Sequence, residues 1–280
     1  MTKPTRGVAG SAQKVVTALL EQIESGALRP GDQMPTIAAL AKEYGVNKNT
    51  VSKAVVSLKA TGVLSGLAGG NTWVRVPPPH KKRQNTRYHM EKSAVHLPES
   101  ERSAVGASEA DSGIPLQDLH EDRADYAVVE APPEIREALA LLPGAQVLRR
   151  TYTRRHAQKA GASRSISYLP YDLVRGNPDL LDPHREPWPG GTMHQLYTIG
   201  VELDRVVDHV TAGMPTPEEI QEFDIPPSVP LIRIRKVSYS TEDRPVEVTE
   251  IPLPAERIEL IYTTQLERWS PSQGFTGRFS

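Results

Sequence analysis

Six neighbouring residues carry side chains that could bind nucleic acid. Five of them, expected on the exposed N-terminal face of one helix, are Lys48, Asn49, Thr50, Ser52 and Lys53, and the sixth, just before that helix, is Asn47. A lysine ammonium can contact phosphate oxygens, while short amides and hydroxyls can reach base edges in the major groove. These residue types at this spacing therefore predict a helix that contacts DNA, with Asn47 also placed to cap it.

The helix that would carry these side chains is the second of a pair within residues 37–59. Gly45 supplies the tight turn between the two helices, because glycine adopts a left-handed backbone at low cost. A stripe of apolar residues at helical spacing would pack the second helix onto the domain. Its members are Val51, Ala54, Val55 and Leu58. The pattern predicts a helix-turn-helix; a helical hairpin within another kind of domain is the alternative.

The flanking sequence extends this pair in both directions. Ser11 can cap a preceding helix that ends at Gly26. After the pair, Val63–Leu64 and Thr72–Val76 read as two short strands around a loop that contains glycine. Three helices followed by a hairpin predict a winged helix-turn-helix domain over residues 8–78.

Charge is distributed unevenly along the chain. Residues 1–87 carry a formal charge of +9, which leaves −10 on the remainder. A basic N-terminal module on an acidic body suits DNA binding through one end of the molecule. Accidental clustering of solvated charge is the alternative.

The residue types that are missing exclude several classes of protein. The chain has no cysteine, so disulfides and thiolate metal sites are excluded. Its 8 histidines are scattered without a spaced pair, and we expect neither a metal nor a cofactor. No apolar run approaches the ~20 residues of a transmembrane helix, and no signal-peptide core is present. We therefore expect a cytoplasmic protein without a membrane partner.

The second half of the chain alternates strand-like and helix-like segments. Pro77–Pro79 ends the first domain and favours an extended spacer, and residues 79–120 are predicted to form a partly ordered linker. From Tyr126 onward, strand patterns are separated by short helices, such as the one predicted over Pro132–Leu142. This order predicts an α+β domain with a mainly antiparallel sheet over residues 121–270.

Residues 11–76 resemble the DNA-binding domain of GntR-type bacterial transcription factors. The resemblance rests on short motifs in fixed order, among them Pro30-Gly31-Asp32, Met34-Pro35-Thr36, Tyr44-Gly45-Val46, Thr50-Val51, Gly62-Val63 and Gly70-Asn71-Thr72-Trp73-Val74. Besides the polar helix face, it implies DNA contacts by Thr36, Gly70, Asn71 and Arg75. Family members commonly have Ser-Glu-Arg after the proline, with the arginine on DNA. Because Thr36-Ile37-Ala38 stands here instead, the operator preference is expected to differ.

Residues 126–269 are similar to the effector-binding domain of the HutC branch of that family, the UTRA type, whose fold resembles chorismate lyase. The anchors of the resemblance include Leu142-Pro143-Gly144, Tyr168-Leu169-Pro170, Gly190-Gly191-Thr192 and Arg244-Pro245-Val246-Glu247. The resemblance implies a cleft in the sheet for a small, often acidic or phosphorylated, molecule. The residues it assigns to this effector are Arg150, Arg154, Gly190, Gly191, Thr192 and Glu247.

Each of these assignments has a purely structural alternative. The glycines can form an ordinary turn capped by Thr192, the arginines can line a solvated strand edge, and Glu247 can be an exposed strand acid. The sequence also departs from the family, because Ser165 and Ser167 stand where an acid is usual and Leu253 stands where a tyrosine is usual. These departures argue against an amino-sugar phosphate as the effector.

Together these features predict a ligand-responsive repressor. Two chains would pair through their C-terminal domains and bind a palindromic operator until a small effector, for which an anion is one candidate, releases them. An effector-independent repressor whose C-terminal domain only dimerises is the main alternative. A lyase-like enzyme is the other, although the sequence has no nucleophile elbow, phosphate loop, dinucleotide fingerprint or metal motif.

Overall fold

A computed structural model describes residues 6–66, 70–102, 119–156 and 162–266 of the 280-residue chain. The N-terminal head consists of three helices and a short antiparallel hairpin. These elements are α1 (Arg6–Glu24), α2 (Ile37–Glu43), α3 (Lys48–Ala60), β1 (Leu64–Ser65) and β2 (Trp73–Val74). Helix α1 starts upstream of Ser11, so that residue lies inside the helix and the prediction that it caps α1 is wrong.

The head is organised by the apolar stripe of α3. Val51, Ala54 and Leu58 are almost completely buried, and they pack with Leu19 of α1 and Leu40 of α2. The turn between α2 and α3 works as expected, because Gly45 has a φ of +62°. Burial of one face of α3 leaves its opposite face to solvent, which fixes which side chains the head can present to another molecule.

The segment between the two domains is built onto the second domain. It contains β3 (Lys81–Gln84), α4 (Arg87–Ala94) and α5 (Glu99–Arg102). Strand β3 pairs in parallel with the last strand, β10 (Ile258–Ile261), and Lys92 of α4 donates to the carbonyl oxygen of Leu203 at 2.7 Å. The remainder of the predicted linker, residues 103–118, lies outside the described residues.

The second domain is built on a six-stranded antiparallel sheet with the order β4-β5-β6-β9-β8-β7. The strands are β4 (Leu119–Glu130), β5 (Gln146–His156), β6 (Ala162–Pro170), β7 (Leu203–Gly213), β8 (Leu231–Ser240) and β9 (Pro245–Pro254). With the helical head, this sheet confirms the predicted α+β fold class.

Both faces of the sheet are covered, because apolar side chains alternate along the strands. The covering helices are α6 (Pro133–Ala138), α7 (Tyr171–Val174), α8 (Gly191–Tyr197) and α9 (Pro217–Phe223). Leu148 and Leu169 pack with Leu196 of α8 on one side of the sheet. Val147 packs with Ile135 of α6 on the other. Helix α6 is shorter than predicted, because Ala140 already has a positive φ of 51°.

None of the helices within the described ranges has the length and apolar character needed to cross a bilayer.

Candidate functional site

The N-terminal half of α3 presents a polar, cationic face to solvent. Lys48, Asn49, Ser52 and Lys53 are all exposed, directly opposite the buried stripe of the helix. Two lysine ammonium groups can neutralise phosphates, and the amide of Asn49 can form two hydrogen bonds to an adenine edge. This surface has the chemistry of a recognition helix.

Two of the six residues predicted to bind DNA form the helix cap instead of extending this surface. The side-chain oxygen of Asn47 accepts from the backbone N–H of Thr50 at 2.8 Å and from its hydroxyl at 3.0 Å. Thr50 is only 2% exposed, so the prediction that it lies on the exposed face is wrong. The reason is the helical spacing: Thr50 lies beside Val51, at the edge of the stripe that packs with α1 and α2.

The remaining predicted DNA contacts occupy three different settings. Thr36 is exposed and caps α2, since its hydroxyl accepts from the N–H of Ala39 at 3.2 Å. Gly70 and Asn71 are exposed in the loop that leads into β2. The Arg75 side chain, immediately after β2, is largely buried against the second domain. The head therefore presents α3, the α2 cap and the wing loop, but not the Arg75 guanidinium.

A second polar cluster crosses the sheet of the C-terminal domain. Six residues lie in register, one on each strand from β4 to β7, and they form what we call the polar row. In sheet order they are Tyr126, Arg150, Ser167, Thr249, Lys236 and Asp208. Because paired residues point to the same face, the row places two cations along one line on a single face of the sheet, with α8 contacting it at Arg150.

Arg150 is the centre of this cluster and is 1% exposed. Its Nη1 donates to the side-chain oxygen of Gln195 at 2.5 Å. Its Nη2 donates to the hydroxyls of Ser167 at 2.9 Å and Thr192 at 3.2 Å, and it lies 3.3 Å from a carboxylate oxygen of Glu247. The guanidinium therefore links β5, β6, β9 and α8.

Glu247 is equally buried and balances the charge of this cluster. It accepts from Ser167 at 2.8 Å and from Ser238 at 3.2 Å, and the Nζ of Lys236 lies 2.9 Å away. Burial alone would raise the pKa of the Glu247 carboxyl, but the charges of Lys236 and Arg150 outweigh it and lower that pKa to about 2. Glu247 is thus a buried carboxylate with a full set of partners, not an exposed strand acid.

A second carboxylate, Glu186, occupies the open side of the cluster. One of its oxygens accepts from the hydroxyls of Tyr126 at 2.5 Å and Tyr152 at 2.9 Å, and from the side-chain N–H of Gln195 at 3.1 Å. The other accepts from the backbone N–H of Trp188 at 2.8 Å. We call these four donors the carboxylate cradle.

The cradle favours a negative charge. Burial would raise the pKa of the Glu186 carboxyl, but the hydrogen bonds from Tyr126 and Trp188 and the nearby charge of Arg150 leave it lowered. Burial raises the pKa of Tyr126 to about 12, so this hydroxyl remains a donor at neutral pH. The charges of Arg150 and Lys236 balance those of Glu247 and Glu186.

The glycine turn lies at the edge of this cluster, while Arg154 lies outside it. Gly190 and Gly191 both have positive φ, 88° and 57°, and they lead into α8, where Thr192 accepts from Arg150. A Cβ on Gly190 would lie 2.9 Å from the Cβ of His194, so glycine is required there. Arg154 instead pairs with Asp122 at 2.9 Å, on the β4–β5 edge of the sheet.

Sequence reasoning missed half of the cluster. Tyr126, Tyr152, Glu186, Gln195 and Lys236 were not expected in a site. The tyrosines and Lys236 could have been found by aligning the strands across the sheet, since they share a face with Arg150 once the register is known. Glu186 could not, because it lies in an irregular segment without periodicity. Among the described residues, no three His, Asp or Glu side chains are grouped as a metal site would require.

Comparison with known protein families matches both halves of the chain. Residues 11–74 match the family of bacterial regulatory proteins called gntR. Residues 123–259 match the UTRA domain. The first match runs from within α1 to the end of β2, and the second runs from within β4 into β10.

Two regulators and one solved structure illustrate the similarity. An uncharacterised HTH-type transcriptional regulator of Streptomyces coelicolor is 28% identical over 231 residues, which are 81% of this chain and 82% of that protein. The mannosyl-D-glycerate transport/metabolism system repressor of Escherichia coli is 23% identical, over 84% of this chain and 88% of its own. A solved GntR-family transcriptional regulator superposes with a TM-score of 0.59 at 24% identity, covering 92% of this chain and 98% of the other, and this shows the shared fold.

Proposed function

Because this chain belongs to the GntR family of bacterial regulatory proteins and carries a UTRA domain, we propose that it is a homodimeric repressor that leaves a palindromic operator when a small carboxylate effector binds. The family and the relatives are transcriptional regulators rather than enzymes. The head binds DNA and the UTRA domain binds a small molecule. The single observation that carries the proposal is the exposed polar face of α3 above a fully buried stripe.

The proposed roles on DNA follow from the chemistry of each exposed side chain. Asn49 and Ser52 read base edges, while Lys48 and Lys53 contact phosphates. Thr36, Gly70 and Asn71 meet the backbone beside the groove, and Asn47 acts through the helix that it caps. Two heads related by a two-fold axis would then read two halves of a palindrome, because operator symmetry mirrors protein symmetry.

The carboxylate cradle supports an anionic effector. Glu186 shows that tyrosine hydroxyls, an amide and a backbone N–H can hold a carboxylate there. The Nε of Arg150 is buried and has no hydrogen-bond partner among the described residues, a state that a ligand oxygen would relieve. The compound in the name of the Escherichia coli relative, mannosyl-D-glycerate, is itself a carboxylate. We therefore propose that the effector displaces Glu186 and contacts Thr192, Gly190 and Gly191.

One observation favours the alternative of an effector-independent repressor. Arg150 already donates to Gln195, Ser167, Thr192 and Glu247, and Glu186 lies nearby. The positive charge of Arg150 is therefore balanced without a ligand. In that alternative the polar row has only a structural role. The two readings differ in whether any small molecule stabilises the protein.

DNA from the region upstream of the protein's own gene is the first probe of the proposal. We expect saturable binding in fluorescence anisotropy, with a slope of log K against log salt of about −0.9 for each phosphate contacted. Shuffled duplexes of the same length serve as the control, and specific binding should exceed theirs at least ~10³-fold. Equal affinity for both duplexes would contradict a sequence-specific regulator.

Effector binding is tested with a panel of sugar acids and other small carboxylates, including mannosyl-D-glycerate. A true effector should raise the stability of the protein by ~2.7 kcal/mol at a hundredfold excess over its Kd, seen as an increase in Tm. It should also release operator DNA. Thr192→Val should abolish release while DNA affinity is kept, because the substitution removes one hydroxyl at the cluster and leaves the head intact.

The control for this variant is Thr241→Val, the same chemical change in an exposed turn. Release that persists in Thr192→Val removes Thr192 from the effector site. A panel in which no compound raises Tm, with phosphate-bearing compounds included, supports the effector-independent alternative.

A further inference from the structure

An ion pair joins the wing of the head to the effector domain. Arg75 follows β2, and Glu256 lies in the short 3-10 turn Ala255–Arg257 that follows β9. The two side chains meet end to end, with Nη1 to Oε2 at 2.5 Å and Nη2 to Oε1 at 2.6 Å. Both are largely buried, at 18% and 15% exposure. Bidentate pairing of this kind is the strongest geometry between arginine and a carboxylate.

A second contact between the head and the effector domain lies at the same place. Gly62, which ends α3, lies so close to Pro226 that a Cβ on it would be 3.0 Å from the proline Cγ. Within the effector domain, Arg257, next to Glu256, donates to the carbonyl oxygen of Asp224 at 2.8 Å. The base of the wing is therefore seated on the effector domain through Gly62 and Arg75.

Arg75 is the cation of the wing that DNA would meet. It continues the hairpin, since its N–H donates to the carbonyl oxygen of Val63 at 2.9 Å. A guanidinium binds the carboxylate of a protein and the phosphate of a nucleic acid with the same planar pair of N–H groups. Arg75 therefore cannot serve Glu256 and a DNA phosphate with these donors at the same time.

From this geometry we propose that Glu256 is an internal competitor for DNA phosphate at Arg75, so that the seated wing is a state of lower DNA affinity. The proposal rests on the proposed function in one respect, that the head is the part of the chain that meets DNA. Binding to DNA then requires the Arg75–Glu256 pair to open, and the free energy of that pair is subtracted from the binding free energy. A substitution that removes the charge of Glu256 should increase DNA affinity, although it removes a native ion pair.

The position of Glu256 also connects this pair with the effector cluster. Strand β9 carries Glu247 in the polar cluster and leads directly into the turn that carries Glu256. A shift of β9 that accompanies effector binding would therefore reach the carboxylate that holds the wing. This gives the effector domain a means of acting on the head without contacting α3.

The test replaces Glu256 with glutamine, which keeps its shape and removes its charge. We expect Glu256→Gln to increase DNA affinity about 3- to 10-fold at 0.1 M salt, the effect of losing a competing pair worth about 1 kcal/mol. The slope of log K against log salt should change by less than one contact, about 0.9, because Arg75 meets the same phosphate in both complexes. The matched control is Glu259→Gln, which removes the same charge from an exposed position on β10.

A double-mutant cycle makes the result specific to Arg75. In the Arg75→Ala background, Glu256→Gln should leave DNA affinity at the level of Arg75→Ala alone. The proposal is overturned if Glu256→Gln behaves like Glu259→Gln, or if its gain in affinity persists without Arg75. The cycle is run on the operator and on an unrelated duplex. Because phosphate contacts carry no sequence information, failure to find a specific operator does not affect its outcome.

Discussion

Replacing Glu247 with glutamine should lower the free energy of unfolding by about 3–5 kcal/mol at neutral pH. The change removes the carboxylate that faces both Arg150 and Lys236 and leaves two cations buried against a neutral amide. The loss is large because Arg150 is 1% exposed and cannot turn toward water. Urea denaturation followed by circular dichroism measures it directly.

The effect of this substitution should depend on pH. The pKa of Glu247 is lowered in the folded protein, to about 2, whereas an unfolded glutamate titrates near 4.3. The carboxylate therefore contributes its full stability above about pH 4.5, and this contribution, about 3 kcal/mol, is lost as the pH falls toward 2. The difference between the wild type and Glu247→Gln should shrink correspondingly when it is measured at pH 7, 5, 4 and 3.

The matched control is Glu250→Gln, on the same strand. Glu250 is 37% exposed, and its carboxylate lies 3.5 Å from Arg235, a long distance for an ion pair. Such a surface pair contributes little to the free energy of unfolding. We expect a loss below about 1 kcal/mol for this variant. If Glu247→Gln cost no more than the control, or if its cost were the same at pH 3 and pH 7, the polar cluster would not be held by the charge of Glu247.

The second large effect is expected on DNA. Asn49→Ala removes a side chain placed to read a base edge, which is worth about 1–3 kcal/mol for each half of the operator. In the proposed two-fold symmetric complex both copies are lost, so operator affinity should fall about 30-fold or more while affinity for an unrelated duplex stays nearly constant. Anisotropy titrations on the two duplexes separate these outcomes.

Lys48→Ala should affect DNA binding differently from Asn49→Ala, although the two residues are adjacent. A lysine that contacts phosphate contributes equally to every sequence, so binding to both duplexes should weaken and the salt slope should fall by about 0.9 per contact. Both side chains are exposed, so neither variant should change the Tm. Asn47→Ala provides the contrast, because loss of the α3 cap should cost about 1 kcal/mol of stability. Unchanged operator binding in Asn49→Ala and Lys48→Ala would remove α3 from the DNA surface.

Features set by residues close together in the sequence could be predicted, whereas contacts between residues far apart in the sequence could not. The stripe of α3 and the turn at Gly45 follow from local spacing, and they were recognisable within residues 37–59. The antiparallel sheet also follows from local patterns, because strands and turns alternate along the second half. The burial of Thr50 was not predicted, because Thr50 lies at the edge of the apolar stripe and its hydroxyl bonds to the capping residue Asn47.

Contacts between distant segments could not be predicted in this way. Arg75 and Glu256 are 181 residues apart, and nothing in the local sequence of either names its partner. The pairing of Arg150 with Glu247 required the order β5-β6-β9, which places non-consecutive strands side by side. Arg154 shares a strand with Arg150, yet it finds Asp122 on the edge strand. Spacing alone gave these two arginines the same role, and the neighbouring strands give them different ones.

The parallel pairing of β3 with β10 fixes the length of the free segment that connects the head to the effector domain. Because Lys81 is fixed in that pair, only residues 76–80, three of them proline, join the wing to the anchored chain. Six residue steps from Arg75 to Lys81 reach at most about 20 Å. When the Arg75–Glu256 pair is open, the head can therefore move only a short distance from the effector domain, because the connecting segment is short and its prolines make it stiff. In the proposed dimer, the distance between the two heads would therefore be set mainly by the positions of β3 in the two effector domains. Such a dimer would tolerate little variation in the spacing between the two halves of its operator.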